Sequence, residues 1–241
     1  MSRFAFKLSL ALSLTSFATT AFTPAASARS FAKAPALQAD SIVLEDPIAP
    51  SAQLRIAPPY LDRAAIRAKL LDNRRANIAS FHAYRIGGVY PSNVFTSTLG
   101  NIWRDQQGHY CAAATIIRAS GSVTLVEQIA EDNNMFRIVD VEQGPVMDWI
   151  LTSGLTQAEL VMIQKPFMPV TKRPELEPAE NLPINAKLRA AETRRLAKLY
   201  KTIEHELTNT QRANLDLAVE RLMRRPDLAR QLLASAASSS K

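Results

Sequence analysis

Three side chains with reactive chemistry fall within one seven-residue stretch: Asp105, His109 and Cys111. A carboxylate that orients an imidazole, with a thiol close by, is the set from which a thiolate nucleophile and its base are made. The residues between them, Gln106-Gln107-Gly108, read as a tight turn. Asp105 at the first turn position and Gly108 at the fourth favour a type I turn closed by a left-handed glycine. A hairpin in that register pairs Asp105 with His109, Arg104 with Tyr110 and Trp103 with Cys111. Alternation along the strands then puts Asn101, Trp103, Asp105, His109, Cys111 and Ala113 on one face. His82 and Asp148 are further groups that neighbouring helices can bring to it.

Two readings of Cys111 stay open. Strand residues two apart have Cα atoms about 6.5–7 Å from each other, so a direct Cys–His hydrogen bond needs His109 to lean inward. Cys111 also opens a run of alanines, the setting of a small buried hydrophobe. It is the sole cysteine, so an internal disulfide is impossible and stability must come from a core. Trp103 and Arg104 at the turn offer a guanidinium to a carboxylate ligand, although a cross-strand stack of Arg104 on Tyr110 accounts for the pattern as well. The soft ligands His82, His109, His205 and Cys111 lack zinc-site spacing apart from His109-x-Cys111, and no metal site is expected. Phosphate-loop, nucleophile-elbow and H-E-x-x-H signatures are missing, and nothing calls for a cofactor.

The elements that would position this face follow from patterning. Leu61, Ile66, Leu70, Leu71, Ile78 and Phe81 fall near helical spacing, with Arg74, Arg75 and Arg85 on the polar side and Gly87-Gly88 as the stop. His109–Ile117 reads as a strand covered on both faces, and Met135–Val141 as another. Helices are expected from Ser122 or Thr124 to about Asn133, after Pro145 up to Gly154, and beyond Thr156, which forms a capping box with Glu159. Residues 60–165 therefore read as an α/β (α+β) domain, a small sheet with a β-hairpin covered by helices. Five prolines in 166–183 read as a stiff linker. Residues 184–234 read as a helical hairpin with Thr208 and Gln211 in capping-box spacing, and 235–241 as a loose tail.

The other end of the chain speaks to compartment. Arg3 and Lys7 precede a short apolar stretch that ends in Ala26-Ser27-Ala28, the three parts of a cleavable signal peptide over residues 1–28. The expected location is periplasmic or secreted, with no integral membrane segment after cleavage. An Ala- and Pro-rich lead occupies 29–59. Net charge is +7, but its distribution decides more than its sum. Residues 29–183 hold 15 basic and 16 acidic side chains, whereas 184–241 hold 12 and 6. In an exported protein this basic part points away from nucleic acid and toward an anionic envelope component or an acidic protein. Arg194, Arg195, Arg224 and Arg225 are the candidate contacts.

With those residues laid out, Phe81–Pro91 (FHAYRIGGVYP), Asn101–Asp105 with Gly108–Thr115 (NIWRD, GHYCAAAT) and Gly144–Gly154 (GPVMDWILTSG) resemble a set of uncharacterised exported proteins of Gram-negative bacteria. The likeness spans about residues 70–165 and implies export without implying an activity. The overall expectation is a non-catalytic periplasmic or secreted binding module. The alternative is a thiol-dependent enzyme or thiol-exchange protein using Cys111 with His109 and Asp105.

Overall fold

Asp62 starts the fold by accepting hydrogen bonds from the backbone N–H groups of Ala64 and Ala65, the N-cap of helix α1, Arg63–Gly87. The 25-residue helix ends where Gly88 takes a left-handed conformation, φ 64°. The computed structural model describes residues 60–172 and 182–238. The signal peptide, the lead, most of the proline-rich linker and the last residues of the tail lie outside the described residues.

Among the described residues seven more helices follow: α2 (Ala112–Ala119), α3 (Val123–Asp132), α4 (Pro145–Thr152), α5 (Gln157–Ile163), α6 (Ala186–Asn209), α7 (Gln211–Met223) and α8 (Pro226–Ser238). One 3-10 turn, Ile138–Asp140, precedes α4. Helix α1 is the axis, touching α2, α6, α7 and α8. One hydrophobic cluster runs from Ile66 and Trp103 through Leu196 and Tyr200 to Leu222 and Leu232.

The expected sheet does not exist: among the described residues there is no strand, only isolated bridges such as Arg104–Tyr110. The α/β assignment is therefore replaced by a mostly helical one for the described residues, and the reasons are local. The segment expected as a covered strand, His109–Ile117, becomes helix α2 from Ala112 onward. Three successive alanines are the strongest helix formers, and Ile116 and Ile117 are buried with them. A helix apolar on nearly every side is simply a buried helix. The hairpin stops with the turn. Its partners do face each other, Asp105 N–H bonding His109 O (2.9 Å) and Cys111 N–H bonding Trp103 O (2.9 Å), but no ladder extends beyond them.

Met135–Val141 is no strand either. Its backbone groups find amide side chains instead of a neighbouring chain. Gln164 accepts from Ile138 N–H (2.8 Å) and donates to Phe136 O (2.7 Å), while Gln157 donates to Ile138 O (3.0 Å) and Val141 O (2.8 Å).

Punctuation read from the sequence is found in α4 and α5. Pro145 opens α4, Gly154 follows its end, and Thr156 and Glu159 form a reciprocal capping box on α5. Between α6 and α7 the cap is Thr210, not Thr208.

The charge expected on the polar side of α1 is buried. Arg74 and Glu159 are 0% and 1% exposed and pair through two contacts, 3.0 and 2.7 Å. Arg74 also donates to Gly154 O (3.2 Å) and to Leu207 O at the end of α6 (2.8 Å). Glu159 additionally accepts from Thr156 N–H (2.8 Å) and from Asn214 Nδ2 on α7 (2.8 Å). Gly154 holds φ 75°, and a Cβ there would lie 2.0 Å from Leu70 O and 2.9 Å from the backbone nitrogen of Arg74.

Two outcomes follow for stability. Gly154→Ala should cost about 4 kcal/mol or more in denaturant titrations, since both the backbone conformation and the space exclude it. Burial pushes the Glu159 carboxyl up, but hydrogen bonds from Arg74 and Thr156 outweigh that and hold it below its ordinary 4.5. A carboxylate with a lowered folded-state pKa contributes stability above the unfolded value and loses it as pH falls through the folded one. Glu159→Gln should therefore cost about 3–5 kcal/mol at neutral pH. It should also flatten the acid limb of the stability–pH curve below pH about 4.5, as read by denaturation at a series of pH values.

Candidate functional site

The turn expected to carry chemistry is built around one buried carboxylate. Asp105 Oδ1 accepts from the backbone N–H groups of Gln107 (2.9 Å) and His109 (2.8 Å), and Oδ2 from that of Ser92 (2.9 Å). Gly108 supplies the left-handed corner, φ 82°. The same Oδ2 lies 3.0 Å from His109 Nδ1, so the carboxylate fixes the imidazole ring. The His109 side chain is 38% exposed. It lines a shallow cavity of about 400 Å³ with Val89, Tyr110, Thr115 and Arg118.

The third member does not join them. Cys111 is the N-cap of α2, its Sγ accepting from Ala114 N–H at 3.4 Å, and the residue is buried. Burial pushes the thiol up to about 12; the backbone N–H groups of Ala114 and Ala113 pull it down, but by less. No hydrogen bond connects it to His109 among the described residues. An N-terminal helix position ordinarily favours a thiolate, but here desolvation wins over the dipole. Thr115 Oγ1, on the same cavity, donates to Cys111 O (2.9 Å). The Asp105–His109 dyad thus fixes an imidazole that shares no hydrogen bond with Cys111 among the described residues.

The two expected binding residues of the turn are structural. Trp103 is fully buried, with Nε1 donating to Val126 O (3.0 Å) and its ring edge-on to Phe136. Arg104 spends its guanidinium on Glu127 (2.8 Å) and Tyr110 Oη (3.3 Å). His82 pairs with Glu204 and Asp148 with Arg225, both away from the turn. Among the described residues no three His, Cys, Asp or Glu side chains stand together as a metal site.

The basic residues divide in two. Arg195 is held by Glu192 (2.7 Å) and Pro166 O (2.9 Å), and Arg225 by Asp148 (3.3 Å), so neither offers a free cation. Arg194 and Arg224 are exposed. Arg194 belongs to a row that arginine counting overlooks: Lys187, Arg194, Lys198, Lys201 and His205. At about 100° per residue these five fall within about 40° of a single line along α6, spanning about 27 Å. All are exposed, and none shares an ion pair or side-chain hydrogen bond with another described residue. The acids of the helix, Glu192, Glu204 and Glu206, lie at least about 100° away from the line. Leu196, Tyr200, Ile203 and Leu207 occupy the opposite, buried side. The spacing of seven, four, three and four was the available signal.

No family model, curated protein or solved structure matches this chain. A thiol reagent offers the direct check on Cys111. It should leave the native protein unmodified at pH 8 and react only as fast as the protein unfolds, so that added denaturant accelerates labelling in step with the loss of helical signal.

Proposed function

We propose that this chain is an exported, non-catalytic binding module that lays the basic line of α6 against an anionic lipid surface. One observation carries the reading: five exposed basic positions aligned on a rigid helix whose other side is core, with no acid among them. Charges left uncompensated along one line, while Arg195 and Arg225 nearby are each given a carboxylate, mark a surface whose counter-charge comes from outside. Exposed Ile184 and Leu188 flank one end of the line and suit contact with an interfacial region. The buried thiol of Cys111 supports binding over thiol chemistry. Arg3, Lys7, the apolar run and Ala26-Ser27-Ala28 support export to a periplasmic or extracellular membrane face. Among the described residues no helix is long and apolar enough to cross a membrane, so the contact would be peripheral.

Each Lys or Arg near an anionic membrane contributes about 1 kcal/mol, and four give about a thousandfold in partitioning. The processed protein should co-sediment with phosphatidylglycerol vesicles at about 50 mM salt and be released by about 0.5 M, where the Debye length is only a few ångströms. It should ignore phosphatidylcholine vesicles. Reversing Arg194, Lys198 and Lys201 to Glu should abolish binding without altering the melting curve. Binding that survives the triple reversal, or no binding at low salt, would refute the reading.

A further inference from the structure

Two helices of eight residues each end at the same place. Helix α2 finishes at Ala119 and α4 at Thr152, and between those ends and the flank of α1 lies a cavity of about 290 Å³. Asn73, Asn77, Ser80, Ser120, Trp149 and Thr152 line it, and Leu232 of α8 contributes from the side. No charged side chain does.

What the walls have left to offer is almost entirely lone pairs. Asn73 Nδ2 donates to Thr152 O (2.8 Å) and Asn77 Nδ2 to Ser153 O (2.8 Å), the last carbonyls of α4. Each amide is thereby held with its nitrogen on the helix end and its Oδ1 unused. Asn77 is only 4% exposed, yet its Oδ1 accepts from no described group. The oxygen is not sealed from solvent, and the residue lines the cavity. The hydroxyl protons are committed elsewhere: Ser80 to Ala76 O (3.1 Å), Ser120 to Ile117 O (2.7 Å), Thr152 to Asp148 O (2.9 Å). The indole N–H of Trp149 donates to Ser120 Oγ (2.7 Å), which fixes the ring at the cavity wall. Apart from the second proton of each amide, a ligand would meet acceptors.

The long-range field has the same sign. The C-terminal end of a helix carries about half a negative charge, and two such ends converge here. Arg118, in the last turn of α2, is turned over the Tyr110 ring and toward Glu127 (3.6 Å). An indole face adds a further preference for positive charge. A carboxylate or phosphate would find at most the second amide protons as donors and an unfavourable potential, and a sugar would have equally few donors for its own oxygens.

We propose that this cavity is a binding site for a small organic cation bearing an ammonium group, with its N–H donors on Asn73 and Asn77 Oδ1 and its carbon chain against Trp149. The volume limits it to a small molecule. The site shares no residue with the basic line of α6 and stands or falls independently of it.

Tryptophan fluorescence of the full chain tests this, because Trp103 is buried and Trp149 reports on the cavity. Putrescine and phenethylammonium should each give a saturable change, whereas glucose and sodium acetate should not. Ser80→Asp should tighten cation binding about tenfold and Ala76→Lys, at an exposed position on the rim, should weaken it about tenfold. Absence of saturation by both cations, saturation by glucose or acetate at similar concentrations, or indifference of the cation affinity to both rim charges would each overturn the proposal.

Discussion

A guanidinium cannot be buried alone. Moving an unpaired charge out of water costs far more than any single contact returns, so Arg74 is tolerable only where its charge is paired and its two terminal nitrogens are answered, Nε alone staying without a partner. The answers come from four places: the Glu159 carboxylate of α5, the carbonyl of Gly154 in the α4–α5 turn, the carbonyl of Leu207 at the end of α6, and Asn214 of α7 acting through Glu159. Each helix end that meets Arg74 is thereby capped by it. The same geometry dictates Gly154, since α1 approaches the turn so closely that no Cβ fits. The arrangement is better understood as a register pin than as a source of net stability, because a well-packed apolar replacement could be equally stable without specifying which helices meet.

Features with a local cause were legible in the sequence. Gly88 after α1, Pro145 opening α4 and the Thr156–Glu159 box all act within one helical turn, and each is where patterning placed it. The turn from Asp105 to Gly108 belongs to the same class. The error came where one local signal has two tertiary meanings. Cys-Ala-Ala-Ala-Thr-Ile-Ile is apolar throughout, and a run of that length suits either a covered strand or a buried helix. Cys111 decides it by capping Ala114, a contact between residues three apart that only the helical form can make.

Polar residues at a distance were the illegible part. Gln157 and Gln164 carry no local signal of a role, yet they complete the backbone of Phe136–Val141 and make a neighbouring strand unnecessary. Arg74 reads as one of three arginines on a wet face, and nothing near it in the chain distinguishes it from Arg75. Only the arrival of Glu159 and Leu207 does. The basic line of α6 was partly legible, because helical spacing exposes it once lysines and His205 are counted with Arg194, whereas the separation of free from engaged arginines required their partners.

The partners of Arg74 also set an order of events. Glu159 lies 85 residues downstream and Leu207 lies 133. A chain emerging from the ribosome therefore presents α1 with a charge it cannot bury until most of the sequence exists. Premature collapse of the N-terminal half would trap that charge unpaired, so the half-made chain has reason to stay open. For a chain proposed to be exported, an arginine in α1 that stays unpaired until Leu207 exists favours an open state during passage.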